Sequence, residues 1–218
     1  MKIETSIVVA GLLLGAFSVA GAGLVAATHV ATTDRIALNE RQALLDKLSV
    51  LVPAGRVTND MATDRIEVSD PSRLGSGRTT VYRAFDNGAP VGVILTPVVP
   101  DGYAGPIHLL VAVLSDGTLG GVRVVSHKET PGLGDKIEER RTDWVLGFDG
   151  KSLADPLPEQ WKVKRDGGVF DQFTGATVTP RAVVKAVKST LLYVREKGDA
   201  LYAPPASAQV RALAGGAG

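Results

Sequence analysis

The hydrophobic pattern divides the chain before any other property does. Between Thr5 and Thr33 no side chain carries a charge, and Ile7–Thr28 is apolar or small throughout. These 22 residues would reach about 33 Å as a helix, enough to cross the hydrocarbon core of a bilayer. A membrane-spanning helix is therefore predicted within residues 1–33. The competing reading is a cleaved signal peptide ending near Val25-Ala26-Ala27. It is disfavoured because the run exceeds a signal h-region and the basic n-region is only Lys2, offset by Glu4. Gly11 and Gly15 lie one turn apart, with Gly23 two turns further on, a small-residue face that another membrane helix could approach. After the span, Thr33 can cap a second helix in which Ala37, Leu44, Leu45, Leu48 and Leu51 or Val52 recur at helical spacing until Pro53. Residues 34–54 thus read as a stalk.

Beyond the stalk the period changes from helical to alternating. Gly55–Gly77 is polar and loop-like, with one short strand around Arg65–Val68. Strands are predicted at Thr79–Phe85 and Val91–Val98 across Asp86-Asn87-Gly88, and at Ile107–Leu114 and Gly120–Ser126 across Ser115-Asp116-Gly117. Two such hairpins imply an antiparallel sheet with one face covered by helices, an α+β fold. The sheet runs out into a loop of Pro131, Gly132 and Gly134, after which Asp135 can cap a helix through Ile137 toward Trp144, Val145 and Phe148. Trp161–Lys164 alternates like a strand, and Asp166-Gly167-Gly168 turns the chain. A final helix is predicted over about Pro180–Lys197, with Thr179 as N-cap and Val183, Val184, Val187, Leu191 and Leu192 on one face. Globular structure is expected over 55–198 and a disordered tail over 199–218, where Ala, Pro and Gly dominate.

Charge and composition exclude more than they select. The 24 basic and 23 acidic side chains nearly cancel, and no basic stripe is interleaved with aromatics, so no nucleic-acid role is expected. The absence of cysteine removes disulfides, iron–sulfur clusters and thiolate metal sites together. His29, His108 and His127 have no metal-ligand spacing and read as structural or surface residues. Any redox chemistry must come from a bound organic group or from partners.

One stretch carries chemistry, Asp171-Gln172-Phe173-Thr174-Gly175-Ala176-Thr177 before the final helix. Free N–H groups and the helix dipole favour an anion at such a helix start. Gly175 and Ala176 leave the main chain open to a bulky ligand, and Thr177 offers a hydroxyl. Read from these residues alone, the stretch is equally a polar turn before a capped helix.

Asp171-x-x-Thr174-Gly175-Ala176-Thr177 resembles the D-x-x-[ST]-G-A-[ST] motif of FMN-binding domains in respiratory membrane complexes, with Thr174 where the family usually has Ser. Together with the span and Thr130-Pro131-Gly132-Leu133-Gly134, the chain resembles the G subunit of the Rnf electron-transport complex through about Lys197. It is also similar to the C subunit of the sodium-translocating NADH:quinone reductase. The resemblance implies an FMN-binding domain and FMN held covalently by a phosphoester to Thr177, with Thr174, Gly175 and Ala176 shaping the turn. Asp171 would be read by the flavin-attaching enzyme or tie the turn down. Glu129, Thr130, Leu133 and Gly134 would lie along the isoalloxazine or ribityl chain. Lys136 would sit near the negative end of the ring system and favour an anionic reduced flavin, or form an ordinary solvated pair with Glu129. Phe170 and Phe173 would stack on the flavin or serve as core.

The implied function is electron carriage in a membrane complex coupled to ion translocation, with the lipid bilayer, sister subunits and a flavin-attaching enzyme as partners and no turnover in isolation. From a different class, the alternative is a non-redox, membrane-anchored binding or sensor domain. Lys2 before the span against Arg35, Arg41 and Lys47 after it favours a cytoplasmic domain by charge, whereas the family places the domain on the periplasmic side of a bacterial inner membrane, with about Met1–Glu4 inside. A long domain escapes the charge rule, so the periplasmic placement is expected.

Overall fold

The computed structural model describes residues 2–53 and 55–203, and the chain divides into two units at Leu45. The first unit belongs to α1 (Lys2–Ser49). Thr33 caps no second helix. Its hydroxyl donates to the His29 carbonyl at 2.6 Å, and those of Thr28 and Thr32 bond back to Leu24 and Thr28 at 2.8 Å. Each threonine is thereby satisfied inside the helix, and no proline interrupts it before Pro53. Ile7–Thr33 is long and apolar enough to cross a membrane, and none of it is buried. Leu12, Leu14, Phe17 and Leu24 stand exposed around it. A helix apolar on every side finds its stable surroundings in lipid or among other helices.

The second unit is built on six antiparallel strands: β1 (Arg65–Val68), β2 (Thr79–Asp86), β3 (Ala89–Leu95), β4 (Val98–Val99), β5 (Ile107–Leu114) and β6 (Leu119–Ser126). β2 lies between β1 and β3, while β5 pairs with β3, β4 and β6. Asn87 and Gly88 both have positive φ, 48° and 86°, the geometry that lets a two-residue hairpin follow the twist of β2 and β3. The predicted strand Val91–Val98 is split, because Pro97 has no N–H to give to a ladder; its carbonyl accepts the Leu109 N–H instead. A short helix, α2 (Pro71–Leu74), is capped by Asp70 and ends at Gly75.

α3 (Val178–Lys197) covers the sheet, sharing a core in which Val183, Val184, Val187 and Leu191 join Val81, Val93, Leu109 and Val111. Beside it Trp144, Phe148, Trp161, Phe170 and Phe173 form an aromatic cluster, with Phe148 and Phe170 centroids 4.7 Å apart and Trp144 and Phe173 5.2 Å apart. Phe170 and Phe173 are therefore core residues.

Three predicted elements are corrected. The helix expected from Asp135 to Phe148 is two 3-10 segments, Gly134–Ile137 and Asp143–Phe148. Thr142 separates them, its hydroxyl accepting from the Trp144 N–H and donating to the Lys136 carbonyl. The Trp161–Lys164 strand reduces to one parallel bridge, Val163 with Phe170, between the 3-10 turns Pro158–Gln160 and Lys164–Asp166. Finally, α3 starts at Val178, so Thr179 lies inside its first turn and does not cap it. Pro180 is tolerated there because N–H groups of a first turn have no helical partner. At the other end Gly198–Leu201 forms a 3-10 turn with Leu201 buried, and Arg83 Nη1 donates to the Ala203 carbonyl at 2.6 Å. Residues 204–218, which carry most of the expected disordered tail, lie outside the described residues.

Candidate cofactor cavity

A cavity of about 290 Å³ opens at the N-terminus of α3. Three separate stretches line it: Tyr103 from the β4–β5 loop; Glu129, Thr130, Leu133 and Gly134 after β6; and Gly175–Thr179 at the start of α3. Of the residues singled out in the sequence, the fold thus brings together Glu129, Thr130, Leu133, Gly134, Gly175, Ala176 and Thr177. Asp171, Thr174 and Lys136 are not among the lining residues. Asp171 is exposed and pairs with Lys164 at 2.7 Å, while its carbonyl accepts the Trp144 indole N–H at 2.8 Å. Thr174 is exposed at the turn. Lys136 is half-buried, and no pair with Glu129 forms, because the Glu129 carboxylate faces other donors.

Glu129 is the buried centre of the arrangement, 4% exposed. Its Oε1 accepts the Ala104 N–H at 3.0 Å, and its Oε2 accepts the Thr179 hydroxyl. One carboxylate therefore ties the 102–106 loop to the first turn of α3. Two glycines make room for it. A Cβ at Gly134 would come within 2.8 Å of Glu129 Oε2, and a Cβ at Gly102 within 2.9 Å of Oε1. The main-chain N–H of Glu129 donates in turn to His127 Nδ1 at 2.9 Å, and His127 Nε2 meets Glu138 Oε1 at 2.8 Å. The Arg140 guanidinium bonded to Glu138, with His127 second, holds the Glu138 carboxyl below its ordinary pKa.

At the turn, Gly175 has φ of 83° and its exposed face looks onto Leu133. Thr177 stands at the N-cap, half-buried, and its hydroxyl makes no capping hydrogen bond. That hydroxyl lies where the unpaired N–H groups and positive end of a 20-residue helix converge, a setting suited to a phosphate or its ester. The lining contains one carboxylate, Glu129, which is occupied by the Thr179 hydroxyl and the Ala104 N–H, and neither His nor Lys. The arrangement can hold a group.

Two contributors were not legible beforehand. Tyr103, 71% exposed at the rim, sits in a Gly102–Gly105 loop that the sequence marks only as a turn. Thr179 reads as a cap, and only its burial shows it serving Glu129. A larger cavity, about 480 Å³, lies at the C-terminal end of α3 between Ser115-Asp116-Gly117, Ser152–Ala154 and Arg195. It contains none of the residues of the Thr177 turn.

Comparison with known proteins identifies two regions of the chain. Residues 102–192 match the FMN-binding domain family, and residues 1–51 match the RnfG N-terminal region. The chain is 49% identical over 198 residues to the G subunit of the ion-translocating oxidoreductase complex of Pseudomonas aeruginosa, covering 90% of this chain and 92% of the relative. It is 47% identical to the protein of the same name from Pseudoalteromonas atlantica, covering 88% and 90%. For that of Vibrio atlanticus the identity is 45%, covering 89% and 93%.

Proposed function

The chain belongs to the family of G subunits of ion-translocating oxidoreductase complexes, and from that premise we propose that it carries electrons on FMN joined through its phosphate to Thr177. Membership makes it an FMN-binding, electron-carrying, membrane-anchored member of a multi-subunit complex. The attachment residue rests on one observation above the others. Gly175–Thr177 and Glu129–Gly134, more than 40 residues apart in sequence, contribute to the wall of one cavity at a helix N-terminus.

The residues present fit the group. The Thr177 hydroxyl is uncapped, Gly175 leaves the main chain uncovered, and the first-turn N–H groups of α3 suit the single negative charge of a phosphodiester. FMN supplies reversible uptake of one or two electrons, and the protein supplies position and electrostatics. Glu129, Thr130, Leu133 and Gly134 would flank the ring or ribityl chain, and Tyr103 would stand at its rim. Glu129 is the single charged side chain in the wall and acts on the group's reduction through its field. Asp171 and Thr174, both exposed, present the turn to a flavin-attaching enzyme.

We further propose that the domain lies on the periplasmic side of a bacterial inner membrane, with Ile7–Thr33 retained as the anchor in the bilayer. The length of the following domain supports this, because positive charges in long segments govern orientation weakly.

Thr177→Ala tests the central assignment. The variant deletes a hydroxyl with no capping bond, so the protein should fold and insert while its intact mass lacks FMN and its band loses flavin fluorescence after denaturing electrophoresis. Retained fluorescence in that band would move the attachment elsewhere.

A further inference from the structure

We propose that His127 is a positioning residue for the flavin site, a neutral imidazole with its proton on Nε2 that holds Glu129, and so the cavity wall, through the Glu129 main-chain N–H. The proposal rests on the reading of the cavity as the FMN site. His127 does not line the cavity. Its side chain is 8% exposed and is held at both nitrogens. A backbone N–H can only donate, so the 2.9 Å contact from the Glu129 N–H makes Nδ1 an acceptor. The ring proton then belongs on Nε2, facing Glu138 Oε1 at 2.8 Å, and Arg140 donates to both oxygens of Glu138, sharing Oε1 with His127. The sequence Arg140, Glu138, His127, Glu129 is thus a chain of orientation that ends in the carboxylate bridging Ala104 and Thr179. Loss of the Nδ1 acceptor would free the N–H of Glu129 and, with it, the point at which Thr130–Gly134 leaves β6. In metal sites the outer partner of a histidine sets its tautomer and direction, and Glu138 plays that part here for a carboxylate.

Two isosteric variants separate this from a merely structural role. In His127→Asn the amide oxygen can take the place of Nδ1, while in His127→Gln the amide nitrogen can take that of Nε2. The full-length protein with FMN attached is compared by redox titration, and the wild-type ring is examined by nitrogen-15 NMR. His127→Asn should keep the wild-type midpoint potential. His127→Gln and His127→Ala should raise it, because a Glu129 carboxylate released from the wall no longer opposes electron addition. In a Glu129→Gln background the same His127 changes should produce no further shift. The NMR spectrum should show a neutral ring protonated on Nε2. Equal shifts in Asn and Gln variants, a His127 effect that persists without the Glu129 charge, or a ring protonated on Nδ1 would each overturn the proposal. Wild-type protein that carries no flavin on Thr177 would instead overturn the reading of the site, and the NMR tautomer would still decide the assignment of the ring.

Discussion

Gly134 is constrained by what surrounds it, with no need for unusual backbone angles of its own. An added methyl would meet Glu129 Oε2 at 2.8 Å, Glu129 Cβ at 2.9 Å and Thr179 Oγ1 at 3.0 Å. Gly134→Ala should therefore displace Glu129 and cost about 1–3 kcal/mol of domain stability, the range for overfilling a packed site. Thr179→Val removes the hydroxyl that serves a buried carboxylate and should also cost about 1–3 kcal/mol. Chemical denaturation of the protein in detergent would check both, and unchanged midpoints would mean that the Glu129 cluster is not structurally coupled. At this scale the resemblance drew attention to two separate segments, one with Gly134 and one with Gly175, Ala176 and Thr177, and the fold brings both to one cavity. It misled about Thr179, because a Thr-Pro pair at a helix start has the same composition whether its hydroxyl caps the helix or reaches across to another element. Tyr103 was illegible because the other residues of its cavity are far away in the chain, and His127 because only the bend after β6 brings the Glu129 N–H and Glu138 to its two ring nitrogens.

Among the elements, the strands were legible and the 3-10 segments were not. The hairpins reveal themselves by apolar runs closed with Asn-Gly or Asp-Gly, β5 being apolar almost throughout, whereas 3-10 turns of three to six residues are too short to set a period. The β5–β6 turn also provides a pH handle. Thr118 donates to Asp116 through its hydroxyl at 2.6 Å and its N–H at 2.9 Å, and these bonds, the hydroxyl first, lower the Asp116 pKa from 3.8. The folded protein thus binds this proton more weakly than the unfolded chain. Its contribution to stability is complete above 3.8 and is lost as pH falls through the depressed value. At the C-terminal turn the sign reverses: burial, and then Asp199, push Tyr202 up to about 12. Its contribution is complete below 10.0 and disappears as pH rises through about 12. Asp116→Asn should flatten the acid limb of a stability–pH curve and Tyr202→Phe the alkaline limb. Curves that overlay the wild type would remove these two groups from the pH response.

For the whole molecule, the span and the antiparallel α+β domain could be read from the change of hydrophobic period, while the continuity of α1 through Thr33 could not, because threonine hydroxyls satisfy themselves equally well at a cap or within a helix. Orientation is the whole-molecule prediction. Protease added to intact spheroplasts should digest the domain beyond about residue 46, and protease added to inside-out vesicles should spare it; the reverse pattern would establish a cytoplasmic domain. The way the cavity is assembled also dictates an order of biogenesis. Its walls come from the β4–β5 loop, the stretch after β6 and the start of α3, and Glu129 joins the first and last of these. If this cavity is the flavin site, as proposed, its wall stays incomplete until α3 has docked, whereas Asp171 and Thr174 are exposed in the folded domain. On the proposed covalent attachment at Thr177 and the proposed periplasmic placement, maturation would run from export to folding to flavin loading, with an attaching enzyme meeting a finished surface and not a nascent chain.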